Sequence, residues 1–427
     1  MDSLNDRPLR TAEVIAVGSE LLGAERLDTN SLYLSRRFSA LGIELRFKSV
    51  VGDDREDLAA VFRQTLTRSD IVVLTGGLGP TDDDLTRDVV AGVLGLPLEI
   101  DSRIVEGIRA RFAKRGMTMP DVNLRQAQVP HGAAVLANPN GTAPGLLIRR
   151  NAPEARWIVL LPGPPREVQP IFDALADGPL RAEVGSDRLF SASLFVAGRS
   201  ESHVEEIVQP IYSRWRDETP PITTTILASP GQIELHLTRR DADPERARAA
   251  LAQATDALAA ALGDDVYSTD GRHLEEVVGG LLRARRYTIA AAESCTGGLF
   301  MSRLTDVPGS SEYVRGGVVA YANEIKTRLL GVGQDLLDRH GAVSDPVAMA
   351  MAEGVRATTG ADVAVGITGI AGPGGGSPEK PVGTVAIAVL VPGESPFVRT
   401  HTLPGGRAQL KYNFSQTALD RVRRMLS

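Results

Sequence analysis

The sequence predicts an α/β protein in which two α/β bodies with mostly parallel sheets are joined by a small α+β module. Three observations predict it. Short apolar, β-branched runs alternate with amphipathic helical patterns through the first part of the chain. The same alternation returns in the last third, and a strand–helix–strand–strand set with a different rhythm lies between them. A chain of 427 residues exceeds what one hydrophobic core organises, so the parts are set at 1–175, 176–263 and 264–427.

The elements follow in order. E-V-I-A-V-G (13–18) is a strand ending in glycine, and S-L-Y-L-S-R-R-F-S-A-L-G (31–42) carries a helical pattern. Residues 43–52 read as a strand, 55–68 as an amphipathic helix and 70–77 as a buried strand. W-I-V-L-L-P-G-P-P (157–165) is a later strand closed by a stiff turn. In the middle module come L-F-S-A-S-L-F-V-A (189–197), a helix through E-S-H-V-E-E-I-V-Q-P-I, then I-T-T-T-I-L-A and Q-I-E-L-H-L-T. The alanine-rich helix 244–262 fits either this module or a rigid spacer. A helix at 274–286 opens the last part, with strands at Y-T-I-A-A-A-E-S, G-G-V-V-A-Y-A, A-D-V-A-V-G-I-T-G and G-T-V-A-I-A-V-L-V. Helices are expected near 297–304, 324–330, 345–358 and 406–426.

Hydrophobic residues at 43% and charged residues at 23% are ordinary for a globular protein and argue against disorder. A net charge of -6 gives no support to nucleic-acid binding, which needs a basic face. A single cysteine forms no internal disulfide, the first ten residues lack an apolar core, and no apolar run is long enough for a bilayer. A cytoplasmic protein without membrane partners is therefore expected.

In A-A-E-S-C-T-G-G-L-F (291–300), Ser294, Cys295 and Thr296 each carry a side chain able to attack a carbonyl. Ser294 falls at the carboxyl end of a strand, just before an expected helix start, where ligands of open α/β sheets collect. The N–H groups of Cys295, Thr296 and Gly297 are candidate oxyanion donors. A base is needed, and Lys326 is the candidate: with Asn323 as the cap it occupies the third helical position, where the helix dipole and burial favour a neutral amine. Tyr321 is placed to orient a proton path, and the histidines suggest no Ser-His-Asp triad. The alternative, that Ser294 only caps a helix and Lys326 is a solvated lysine, is left open by spacing alone.

The glycine-rich loop in T-G-I-A-G-P-G-G-G (368–376) offers N–H groups to a phosphate, or is merely a hairpin connection. In T-G-G-L-G-P-T-D-D-D-L-T-R-D (75–88), glycines suited to an anion cradle stand beside Asp82, Asp83, Asp84 and Asp88. Acids there are often dipole partners, but three in a row exceed what a cap needs and suggest a divalent ion bridging to a diphosphate. Glu20, Asp28 and Asn30 after the first strand, and Glu167 after another, fit the same crevice, although the Asp28–Ser31 stretch also reads simply as a cap of the following helix.

Five motifs in order, A-E-S-C-T-G-G, L-T-D-V-P-G-S-S, G-G-V-V-A-Y-A-N-E-I-K, H-G-A-V-S and T-G-I-A-G-P-G-G-G, resemble the CinA carboxy-terminal domain over roughly residues 265–427. The resemblance implies deamidation of nicotinamide mononucleotide to nicotinic acid mononucleotide, without a cofactor. It implies Ser294 as nucleophile, Lys326 as base and Tyr321 as assistant, with Cys295, Thr296 and Gly297 supporting through the backbone. Thr368, Gly369, Ala371, Gly372, Gly374 and Gly375 would hold the nucleotide. V-G-S-E-L-L, D-T-N-S, V-V-G-D, T-G-G-L-G-P-T-D-D-D-L-T, N-G-T-A-P-G and L-P-G-P-P-R-E resemble the molybdopterin-binding-type domain of CinA proteins over about 11–175. That likeness implies hydrolysis of ADP-ribose with a divalent metal. Glu20, Asp28, Asp83 and Asp84 would be the ligands, and Asn30, Gly76, Gly77, Gly79, Thr81 and Thr86 would hold substrate. It also implies a homodimer. The different-class alternative is a non-catalytic binder of molybdopterin or a nucleotide in competence or damage responses. The chain departs from the family pattern at His131, where an acid is usual, and in V-A-G-R-S-E-S (196–202).

Overall fold

The computed structural model describes residues 8–24, 26–151 and 156–427. They form two compact units, Met1–Leu189 with Arg240–Pro244, and Phe190–Arg239 with Glu245–Ser427. The fold is α/β.

The first unit contains β1 (Thr11–Val17), α1 (Thr29–Leu41), β2 (Glu44–Val51), α2 (Arg55–Leu66), β3 (Ile71–Thr75), α3 (Thr86–Leu94), β4 (Leu98–Ile100), α4 (Ser102–Ala113), β5 (Gln128–Pro130), β6 (Ala134–Leu136), β7 (Gly145–Arg149), β8 (Trp157–Leu161), α5 (Pro165–Asp177) and α6 (Pro179–Glu183). Its main sheet runs β2-β1-β3-β8-β7-β6. The pairs among β2, β1, β3 and β8 are parallel, and β7 and β6 add an antiparallel edge. β3 and β8 are buried at every residue because helices cover both sheet faces, which is why they read as unbroken apolar runs. β1 lies between β2 and β3, so connections leave it in opposite directions and open a crevice at the strands' carboxyl ends.

The second unit begins with β9 (Arg188–Val196), α7 (Glu201–Tyr212), β10 (Ile222–Ser229), β11 (Gln232–Asp241), α8 (Pro244–Leu262) and β12 (Val266–Ser268), giving a sheet of order β10-β11-β9-β12. The structure decides the place of α8: Leu251, Ala254, Leu258 and Leu262 pack with Leu194, Val204 and Leu235, so the helix belongs to this module's core.

Next come α9 (Leu274–Arg285), β13 (Ile289–Glu293), α10 (Leu299–Thr305), β14 (Val314–Val319), α11 (Asn323–Leu330), α12 (Gln334–His340), α13 (Asp345–Thr359), β15 (Val363–Gly369), β16 (Thr384–Leu390), β17 (Phe397–Thr402) and α14 (Arg407–Leu426). Their sheet order is β14-β13-β15-β16-β17, parallel at β14/β13/β15 and antiparallel beyond. The two-residue period sorts the core. Ile289, Ala291, Val363 and Val365 face one layer with Leu410 and Phe414 of α14; Ala290, Ala292 and Ala364 face the other with Val347 and Met351 of α13. β13 is again the strand from which connections diverge, and Ser294 follows it directly.

Among the described residues, no helix is long and apolar enough to cross a membrane.

Candidate functional site

Ser294 is held by its own N–H, which donates to the Ile367 carbonyl at 2.9 Å and ties the end of β13 to β15. Lys326 comes from α11, the element after β14 on the other side. Its Nζ stands 3.3 Å from Ser294 Oγ and donates to the carbonyls of Ala320 at 2.9 Å and Tyr321 at 3.3 Å. A neutral amine has two N–H donors and one lone pair. The two carbonyls take both donors, and the lone pair is left for the serine hydroxyl. Lys326 is 1% exposed, and burial holds its ammonium below the ordinary lysine range, opposed only by Cys295.

The cap differs from expectation. Ala322, not Asn323, is the residue before the helix, with extended backbone and no side-chain cap, so Lys326 sits at the fourth helical position. The reason is that the turn is closed by Lys326 N–H to the Ala322 carbonyl, one residue earlier than the Asn323 side chain would set it.

The start of α10 also differs. Residues 294–298 make a turn, and the helix begins at Leu299 behind Gly298, which is left-handed at φ 95. The freed amides go to Glu293: its carboxylate accepts from Gly298, Phe300 and Met301 at 3.0, 3.1 and 3.0 Å. Glu293 is 1% exposed, a carboxylate at a helix amino terminus satisfying donors that a ligand would otherwise meet. Gly297 N–H is likewise engaged, by the Ser294 carbonyl at 3.1 Å. Of the three expected oxyanion donors, the amides of Cys295 and Thr296 alone donate to no main-chain carbonyl among the described residues. Cys295 is buried, and that burial pushes its thiol up to about 12, far from a thiolate at neutral pH.

A cavity of about 230 Å³ opens over the pair, lined by Ser294, Cys295, Lys326, Thr368, Gly369 and Ala371, with Tyr321, Asn323 and Arg407 at its edge. Thr368 gives its hydroxyl hydrogen to the Ala342 carbonyl at 2.8 Å, leaving oxygen lone pairs to a ligand. Ala371 is the part of the glycine-rich loop that lines the cavity; Gly372, Gly374 and Gly375 do not. Tyr321 is 62% exposed, and its hydroxyl accepts from Arg407 Nη2 at 3.2 Å. What it contributes to the Ser–Lys pair is its carbonyl. Arg407 also donates through Nη1 to the Gly372 carbonyl at 2.7 Å, fixing a cation at the cavity mouth.

In the first unit, a crevice of about 340 Å³ lies at the carboxyl ends of β1, β3 and β8. Gly76, Gly77, Gly79, Glu20, Asp53, Asp83, Asp84 and Glu167 line it. Gly76 has φ 98, and a Cβ there would stand 2.2 Å from the Val17 carbonyl oxygen, so its glycine is needed for strand packing as well as access. Asp84 organises the loop, accepting from Gly79 N–H at 2.7 Å and from Thr81 N–H and Oγ1 at 2.9 and 2.6 Å. Thr86 donates to the Gly76 carbonyl at 2.8 Å, and Asp82 pairs with Arg125 at 2.8 Å. Asp28 and Asn30 do not line the crevice: Asp28 caps α1 by accepting from Ser31 N–H at 2.9 Å, and Asn30 donates to the Gly163 carbonyl at 2.7 Å. Five carboxylates repel an anionic ligand unless a cation lies between them. Yet no three acids, histidines or cysteines converge to hold one among the described residues, so the side chains as placed do not fit a preformed metal centre. The helix cap and the loop bonds take up Asp28 and Asp84, which the resemblance assigned to a metal. His131, the departure from the family pattern, lies 2.8 Å from Glu99 and away from this crevice.

The CinA C-terminal domain family matches residues 271–426, the damage-inducible protein CinA KH domain family 191–268, and the probable molybdopterin binding domain family 13–182. A CinA-like protein of Koribacter versatilis is 46% identical over 416 residues, covering 97% of this chain and 99% of that one. The chain belongs to the CinA family. A putative competence-damage inducible protein of Symbiobacterium thermophilum is 44% identical over 425 residues, covering 97% and 98%. The crystal structure of competence/damage inducible protein CihA from Agrobacterium tumefaciens is 38% identical, covers 36% of this chain and 93% of that one, and superposes with a TM-score of 0.35.

Three further residues of this CinA-family chain take roles that its motifs do not mark. Glu293 ends a strand, and its place just before a helix start is the one local signal of a dipole partner. Arg407 lies 113 positions from Ser294 and carries no local signal. Arg87 is 2% exposed and braces the aspartate loop by donating to the carbonyls of Leu78 at 3.0 Å and Arg125 at 2.8 Å.

Proposed function

We propose that the second unit hydrolyses the amide of a nicotinamide nucleotide through Ser294 and Lys326, as the CinA-family resemblance implies for nicotinamide mononucleotide. The observation that carries the reading is a buried Lys326 Nζ, held by two carbonyls and 3.3 Å from Ser294 Oγ, whose neutral form has a lone pair to offer the serine hydroxyl. Ser294 Oγ attacks the amide carbon while its proton passes to Lys326 Nζ. The carbonyl oxygen becomes an oxyanion beside the amides of Cys295 and Thr296. Collapse breaks the C–N bond, Lys326 returns the proton to nitrogen, and ammonia leaves an ester on Ser294. Water then attacks the ester with Lys326 again as base, releasing the acid and restoring the hydroxyl. Arg407 at the cavity mouth supplies a cation for the nucleotide phosphate.

The reading is tested by ammonia release from nicotinamide mononucleotide by the full chain. Ser294→Ala should abolish it; turnover at the wild-type rate in that variant would remove the serine from the mechanism. For the crevice in the first unit we propose binding of a phosphorylated ligand such as ADP-ribose, supported by the match of 13–182 to a probable molybdopterin binding domain.

A further inference from the structure

The second unit contains a cavity of about 750 Å³ with three walls. The turn at Gly198–Glu201 and the β10–β11 hairpin form one wall, the outer face of β17 a second, and α14 the third. Phe397, Arg399 and His401 alternate along β17 and so share a face; Asn413, Thr417 and Arg421 recur at helical spacing on α14.

The charges here are sorted unevenly. Arg199 and Arg424 are met by Asp265, and Arg424 also by Asp420 at 2.8 Å. Arg399 and Arg421 have no carboxylate partner among the described residues; Arg421 instead lies 3.7 Å over the Phe397 ring. One lining carboxylate, Glu201, is likewise without a partner, and it sits exposed in the first turn of α7. The wall made by β17 and α14 is therefore positive. Arg421 is held below the ordinary arginine range by burial first and then by Arg424 and Arg399, with Asp420 opposing. His401 is lowered by burial and by Arg399 and Arg421, against Asp345. Like charges crowded in a partly buried space destabilise the empty protein, and an anion relieves the repulsion. Asn413, 9% exposed, has a buried Oδ1 with no partner, an acceptor for a ligand hydroxyl or amine and not for a phosphate oxygen.

We propose that this cavity is a second small-molecule site of the unit, which binds a phosphorylated ligand of nucleotide size between Arg399 and Arg421. Its volume falls in the range of small-ligand sites, and two guanidiniums from facing elements suit the several oxygens of a phosphate. The site is separate from the Ser294 cavity: the two share no lining residue.

The test uses the full chain with inorganic phosphate and AMP as probes. Arg399 and Arg421 are labelled with phenylglyoxal and read peptide by peptide, and both probes should protect them. By calorimetry, Arg399→Gln with Arg421→Gln should remove one binding event or weaken it about tenfold or more, as loss of charge-assisted bonds requires. Arg421→Lys should retain part of it. Thr417→Trp, which fills the cavity from α14 without removing charge, should abolish the same event and keeps the test open if the double variant fails to fold. Absence of protection at both arginines, or an unchanged titration in the filled variant, overturns the proposal.

Discussion

Lys326 Nζ lies 3.3 Å from Ser294 Oγ, and the carbonyls of Ala320 and Tyr321 hold the amine in that place. Lys326→Met keeps the bulk and removes the base. Activity should fall roughly 10²–10⁴-fold, the usual worth of a general base. The methionine variant should also be at least as stable at neutral pH, because a buried ammonium is costly and a thioether is not. Kinetics and a thermal melt on one preparation check both halves; a large loss of stability would show the lysine to be a structural donor.

The pH profile carries a sign. Lys326 is lowered by burial, and the neutral form is the base, so kcat/KM should rise with pH and level off below the ordinary lysine range near 10.5. Linkage runs the same way. A lysine whose folded pKa is depressed penalises the folded state below that pKa, and the penalty disappears as pH rises through the unfolded value. Activity that begins to rise only around the pKa of free lysine would contradict the buried-base assignment.

Cys295 stands beside the reacting serine yet should be dispensable as a nucleophile. Its thiol is pushed up to about 12 by burial, so almost none is ionised at neutral pH. Cys295→Ala should cost far less activity than Ser294→Ala, and a thiol-specific alkylating reagent should label the native protein slowly. An equal loss in the two variants would return the cysteine to the mechanism.

Glu293→Gln replaces a buried acceptor of three amides by a group that presents its own N–H to them. Leaving such donors poorly met should destabilise the fold by about 2–3 kcal/mol. Activity should fall as well, since the turn carrying Ser294 is tied to that carboxylate. Denaturant midpoints and ammonia release measure the two effects; an unchanged midpoint would mean the amides find other acceptors.

The sequence alone determined the α/β alternation, because strands buried at every position, as β3, β8 and β13 are, read as nearly unbroken apolar runs. It also offered the candidate nucleophile and base, since Ser294 directly follows one such strand and Lys326 lies in the first turns of a helix beyond the next. β17 was not legible: Phe397, Arg399 and His401 share the cavity-side face of an edge strand, so charged residues break its apolar signal.

Tertiary structure decided what spacing could not. The pairing of β13 between β14 and β15 brings positions 294, 326, 368 and 407 to one cavity. Gly297 N–H is taken by the Ser294 carbonyl and the amides at the start of α10 by Glu293, and which acids face the crevice depended on Asp28 capping α1 while Arg125 takes Asp82. Each of these is a competition among polar groups for a limited set of partners, settled by three-dimensional proximity. Order along the chain records the competitors and leaves the winner open.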